Sequence, residues 1–192
     1  MENLENIPDK FKSEVAFIGI FIKDEKRDTF LLALNSAGIS IKIWGPRWHK
    51  SNHWEELKQI YQGSFLSGKD YQYAIRGSKI CLGFISKGNW DLHKRRSVEI
   101  PYAGGLLCAE RTTEHLAMYN EGVEAVFWAN ENECITMCKK LLNDDTLRET
   151  IREAGMKRVR LNSSGNEDWG GLKNGTLFCI NFAKMGSQKK TR

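Results

Sequence analysis

The stretch that decides the fold is Val15-Ala16-Phe17-Ile18-Gly19-Ile20-Phe21, followed by Lys26 to Ser36 and then Ile39-Ser40-Ile41-Lys42-Ile43-Trp44. The first segment is an unbroken apolar run, as expected of a parallel strand buried on both faces. In the second, Phe30, Leu31, Leu34 and Ala37 recur at helical spacing, and Asp24 is placed to cap that helix. Gly38 then ends it, as a left-handed C-terminal residue does. The third segment is the next strand. Together they form a β-α-β unit of the size that a right-handed crossover requires.

Working outward, the same alternation repeats. A short helix is expected around Trp54 to Gln59, a short strand in Ile60 to Phe65 and a helix from Lys69 to Arg76 ended by Gly77. Lys79 to Ile85 is a strand and Ser86 to Lys94 a loop, and Ser97 starts a helix that ends at Gly104-Gly105. Leu106 to Ala109 and Glu124 to Trp128 are strands, with a short helix over Thr113 to Tyr119 between them. Asn130 caps a helix to Leu142, and Asp144 or Asp145 caps another to about Arg158. Strand alternating with helix predicts a three-layer α/β domain, Rossmann-like, with a parallel sheet. Its neighbouring strands should be Val15-Ile20, Ile39-Trp44, Lys79-Phe84 and Leu106-Ala109. The division is 1-13 as a lead-in, 14-160 as the domain, 161-183 as an extension and 184-192 as a basic disordered tail.

Composition narrows the class. A chain of 192 residues buries roughly 70% of its unfolded surface and needs no staples. No run of 18 apolar residues occurs, so no membrane span is expected. The N-terminus is acidic and has no apolar core, so it does not read as a secretory signal. Five cysteines form an odd, scattered set that reads as reduced, which suits the cytoplasm. Cys81 and Cys108 sit in apolar strand-like runs. Cys134 and Cys138 can face each other on a helix, but no second Cys or His pair stands beside them in sequence to complete a zinc site. No metal is therefore expected. The net charge of +5 comes largely from Lys184, Lys189, Lys190 and Arg192, so the basic balance is weak support for nucleic-acid binding.

The densest chemistry lies in Asp91-Leu92-His93-Lys94-Arg95-Arg96-Ser97-Val98-Glu99-Ile100-Pro101-Tyr102-Ala103-Gly104-Gly105. Two acids bracket three cations at the end of a buried strand. Arginine forks pair with phosphate bidentately, and a carboxylate suits a vicinal diol because it offers two acceptor oxygens. Against this, Glu99 in a helix first turn is also what the helix dipole favours, and a loop Asp is ordinarily a turn former. Gly19 allows close backbone approach at the end of the first strand, where ligands of such sheets collect. Arg27 is near the first helix's start and is expected on the surface. A lone His93 or His115 is ordinarily surface or core. There is no Gly-x-Gly-x-x-Gly fingerprint and no P-loop.

The chain resembles the C-terminal, donor-binding half of GT-B glycosyltransferases. It is most similar to the spore-maturation (CgeB-like) group, whose pattern runs Arg-Ser-x-Glu-Ile-Pro-x-x-Gly-Gly and then Glu-Arg-Thr-x-x-His. Here these are Arg96 to Gly105 and Glu110-Arg111-Thr112-Thr113-Glu114-His115. Weaker echoes lie at Phe17-Ile18-Gly19, Ile43-Trp44-Gly45-Pro46 and Gly122 to Phe127.

The resemblance implies a nucleotide-diphosphate sugar as donor substrate, with no cofactor and no essential metal. Gly19, Arg95, Arg96, Glu99, Gly104 and Gly105 would bind the nucleotide-sugar, Glu99 through the ribose. Arg96 would neutralise the departing diphosphate, and Asp91 stands at the first acid of the related Glu-x7-Glu. GT-B enzymes use two domains, and the resemblance starts at the second. A partner protein supplying the acceptor-binding half, or a homo-oligomer, is therefore expected, together with an apolar docking patch after Trp169. The alternatives are a catalytically inactive α/β ligand-binding or interaction module, a flavodoxin- or receiver-like domain, and nucleic-acid binding through the basic tail. The receiver reading finds only Asp24 and Glu25 near the first strand.

Overall fold

The structure is a computed structural model, and it describes residues 6–86 and 95–163. A continuous sheet of six parallel strands forms its centre. In chain order the elements are β1 Ser13–Ile18, α1 Arg27–Ser36, β2 Ile41–Trp44, α2 Trp54–Leu57, β3 Tyr61–Gly63, α3 Gly68–Arg76, β4 Ser78–Gly83, α4 Arg95–Tyr102, β5 Leu107–Glu110, α5 Thr113–Met118, β6 Val126–Trp128, α6 Glu131–Asn143 and α7 Asp145–Ser163. The strand order is β3-β2-β1-β4-β5-β6. The four expected neighbours are adjacent and parallel, Val15 opposite Ile41 and Ile80, and Cys81 opposite Leu107.

The period of two along each strand sorts side chains into two cores. Val15, Phe17, Ile41, Ile43, Ile80, Leu82 and Cys108 face one way, against Leu31 and Leu34 of α1 and Cys134, Cys138 and Leu141 of α6. Ala16, Cys81, Leu107, Ala109 and Phe127 face the other way, against Ala74 and Ile75 of α3, Val98 and Ile100 of α4 and Val159 of α7. Both faces are covered, which is why the strands read as unbroken apolar runs.

Helix ends follow the expected chemistry with two exceptions. Asn130 Oδ1 accepts from Glu133 N at 3.0 Å, and Asp144 Oδ1 accepts from Leu147 N at 2.9 Å, so these residues cap α6 and α7. Gly38 has φ +86 after α1. Asp24, however, does not cap α1. The residue before that helix is Lys26, at φ 54 with no side-chain cap, and Asp24 itself has φ 68. The loop after β1 is spent on turning Glu25 inward toward Arg27 and Ser86, which leaves Asp24 too far upstream. The second exception is α4. It already includes Arg95 and Arg96, so these cations occupy its first turn and do not precede a helix begun at Ser97.

Gly155 generates a test of the packing between α7 and the sheet. A Cβ on it would lie 2.2 Å from the carbonyl oxygen of Glu124. In an open helix, Gly→Ala stabilises by about 1 kcal/mol. Here the sign reverses, because backbone fills the space and the helix must move. Gly155→Ala is expected to lower stability by about 1–3 kcal/mol, the usual cost of overpacking. Urea unfolding measures it, and a gain in stability would show that α7 is not held against Glu124.

Candidate functional site

The chain reverses direction across the sheet between β1 and β4. From β1 it runs outward to β2 and β3, then returns to place β4 on the other side of β1. The loops after these two strands therefore diverge, and a crevice opens at their carboxyl ends. A cavity of about 570 Å³ lies there. Its floor is Ile20, Ile22, Gly83, Phe84, Ile85 and Ser86. Arg95, Arg96, Ser97 and Glu99 of α4 form one wall, Phe65 to Gly68 and Tyr71 the other, and Arg27 lies at the base of α1.

Glu99 and Arg96 are joined through a residue that sequence reading missed. Tyr71 Oη donates to Glu99 Oε2 at 2.9 Å and is itself hydrogen-bonded by Arg96. Burial first, and then the Glu99 carboxylate, push the Tyr71 hydroxyl well above its ordinary range, so it stays a donor. Arg95 is 65% exposed, and its Nε lies 4.0 Å from Glu99 Oε1, a weak pair across one helical turn. Glu99 thus keeps a fixed orientation while half-facing the cavity.

Arg27 departs from the surface position expected of it. Its side chain is almost wholly buried, paired with the equally buried Glu25, and its Nη1 donates to the Ile20 carbonyl at 3.2 Å. The guanidinium carbon lies 5.9 Å from the Phe84 ring centroid, a cation–π arrangement. Burial pulls the Arg27 pKa down while Glu25 opposes it. Ser86 Oγ donates to Glu25 Oε1 at 2.8 Å, which ties the loop after β4 to the loop after β1. No sequence signal distinguishes Arg27 from any other helix-start arginine. Only the inward turn of its loop does.

The second half of the matched motif is architectural. Arg111 pairs with Glu121 and Glu133, both at 2.6 Å, and its Nη2 donates to the Phe127 carbonyl. This network holds the Arg111 pKa up and the Glu133 pKa down, each through the hydrogen bond to the other. Thr112 Oγ1 accepts from His115 N and caps α5. His115 is core: fully buried, stacked on Phe127 at 5.2 Å. A carbonyl can only accept, so His115 Nδ1–H donates to Glu110 O at 2.7 Å. Its Nε2 shares a hydrogen bond with Ser97 Oγ, also at 2.7 Å. Tyr119 Oη donates to the Ser97 carbonyl at 2.6 Å. The Glu-Arg-Thr-x-x-His run thus fixes the helix that carries Arg96 and Glu99.

The remaining expected site residues divide. Gly19 sits at the end of β1, its built Cβ position 3.0 Å from Arg96 Nη1. None of Gly19, Gly104 and Gly105 is among the residues that line the cavity. Gly104 has φ +88, and a Cβ on Gly105 would lie 2.5 Å from Ile75 Cγ2, so the pair makes a tight turn under the sheet. Asp91 and His93 lie outside the described residues, as do Trp169 and everything after it. Among the described residues no helix is long and apolar enough to cross a membrane.

Comparisons with known proteins agree with this architecture. A family profile described as glycosyl transferase-like matches residues 26–166. The C-terminal domain of the glycosyl transferase group 1 family protein LpcC from Francisella tularensis superposes with TM-score 0.59 at 12% identity, covering 82% of this chain and 92% of that one. Anabaena Alr3699/HepE in complex with UDP-glucose gives TM-score 0.62 at 11% identity, over 78% of this chain and 44% of that one. Staphylococcus aureus TarM gives TM-score 0.61 at 11% identity, over 82% of this chain and 34% of that one. The chain thus spans less than half of the two full-length proteins. A search of curated proteins finds no match. The matched profile spans most of the chain and bears out the CgeB-like resemblance: this chain belongs to the glycosyl transferase-like family, and its six-stranded parallel domain has the fold of the C-terminal half of a GT-B glycosyltransferase.

Proposed function

We propose that the chain binds a nucleotide-diphosphate sugar in the cavity between β1 and β4 and serves as the donor-binding half of a sugar transferase. The observation that carries this reading is the pairing of a held carboxylate, Glu99, with the guanidinium of Arg96 across Tyr71, at the sheet's reversal point. Glu99 accepts from the ribose hydroxyls. Arg96 and Arg95, in the first turn of α4, and Arg27, at the cavity base, face the diphosphate. Charge that develops on the leaving diphosphate is stabilised by cations already in place. Asp91 would stand near the transferred sugar. That HepE is described in complex with UDP-glucose supports the donor class.

Calorimetry with UDP, GDP and their sugars tests the ligand. Glu99→Ala is expected to weaken binding by about 1–3 kcal/mol, the cost of a lost charged hydrogen bond. Arg96→Ala should weaken diphosphates more than the nucleoside, because only the former carry the charge it meets. Absence of binding by all of these nucleotides at millimolar concentration would remove the main support.

Sugar transfer is a separate matter. A single domain leaves the sugar open to water, where charge stabilisation is weak. It also cannot orient an acceptor, and such positioning is worth roughly 7–11 kcal/mol of barrier. Little donor consumption is therefore expected from these 192 residues alone, with turnover appearing only when a protein supplying an acceptor-binding domain is added. Full turnover by the isolated chain overturns the half-site reading while leaving donor binding intact.

A further inference from the structure

Cys108 lies on β5, between Leu107 and Ala109, and alternation turns it toward α6. Cys134 and Cys138 are one turn apart on the face of α6 that covers the sheet. The three sulfur atoms all lie within 4.8 Å of one another. Each residue is 0% exposed. The two elements are also locked in register. Glu133, the residue before Cys134, is held by Arg111, which follows β5, and Asn130 caps the same helix.

The donor set is all sulfur, which selects thiophilic cations and disfavours hard ones such as magnesium or calcium. A structural zinc site is closed by four ligands, and a catalytic one keeps a position open to water. This cluster supplies three ligands among the described residues and is closed to solvent. A metal–sulfur bond of about 2.3 Å places trigonal sulfurs about 4 Å apart, so the cluster needs to contract by less than about 1 Å. We infer that Cys108, Cys134 and Cys138 form a trigonal binding site for a soft monovalent cation of the copper(I) type. Binding exchanges thiol protons for the metal. Each sulfur that bonds as thiolate releases one proton to solvent, and the metal keeps its oxidation state. The site is closed, so the cation enters as the chain folds or when α6 lifts from the sheet, and its binding energy adds to the stability of the folded chain. No member of the cluster lines the donor cavity, so the inference stands apart from nucleotide binding.

The experiment uses the reduced full chain, refolded without oxygen in the presence of copper(I) and a competing copper(I) chelator. One equivalent is expected to remain bound. X-ray absorption should show three sulfur neighbours at about 2.3 Å and no nitrogen or oxygen, and the thermal midpoint should rise. Cys108→Ser, Cys134→Ser and Cys138→Ser should each weaken retention at least tenfold, whereas Cys81→Ser and Cys179→Ser leave it unchanged. Because a core serine can unfold the chain, the X-ray absorption and thermal readings on the unaltered protein stand by themselves. Complete loss of copper to the chelator, two-sulfur or mixed coordination, preference for zinc, or abolition by Cys81→Ser in a variant whose circular dichroism shows it folded each overturns the inference.

Discussion

The parallel pairing of β1 with β4 is the constraint on which the rest of the molecule depends. These strands are neighbours in space, yet the whole β2–β3 excursion lies between them in the chain. Two consequences follow from that single adjacency. The sheet can bury both faces, because crossover helices must land on either side of it. And the loops leaving β1 and β4 must part company, since one turns toward α1 and the other toward α4. The crevice is therefore a product of topology before any side chain is considered. The Ser86–Glu25 hydrogen bond links the two loops beside it.

Side chains then divide the labour. Arg96, Glu99 and Arg27 face the crevice, and His115 touches its lining from the core side, whereas Arg111 and Thr112 do not line it. Their work is to anchor α4. His115 is oriented by the Glu110 carbonyl, and through Ser97 it pins the turn next to Arg96. A motif read from sequence as one functional unit is thus two: a crevice-facing segment and a brace.

The fold was legible because its determinants are local. Doubly buried strands announce themselves as apolar runs, and Gly38 and Gly104 mark helix ends that need positive φ. The motif drew attention to Glu99 and Arg96, and the structure places both on the crevice wall. Tyr71 and Arg27 were not legible, since nothing on α3 or at the start of α1 reveals which residue turns toward a strand end built elsewhere. The Asp24 reading failed for a related reason: capping chemistry was present, but the loop's tertiary task of delivering Glu25 took precedence. Cys134 and Cys138 were seen to face one another. Cys108 could join them only once β5 and α6 had packed.

The Tyr71 hydroxyl gives Arg96 and Glu99 a shared thermodynamic identity. It accepts from one and donates to the other, so charge at either end polarises the same O–H group. Removing either residue takes away one of the polar partners of this partly buried tyrosine. Each single removal therefore carries part of the same loss, and the two removals are not additive. This wall of the crevice is cooperative at the scale of three side chains, and α3, through Tyr71, is an energetic member of it.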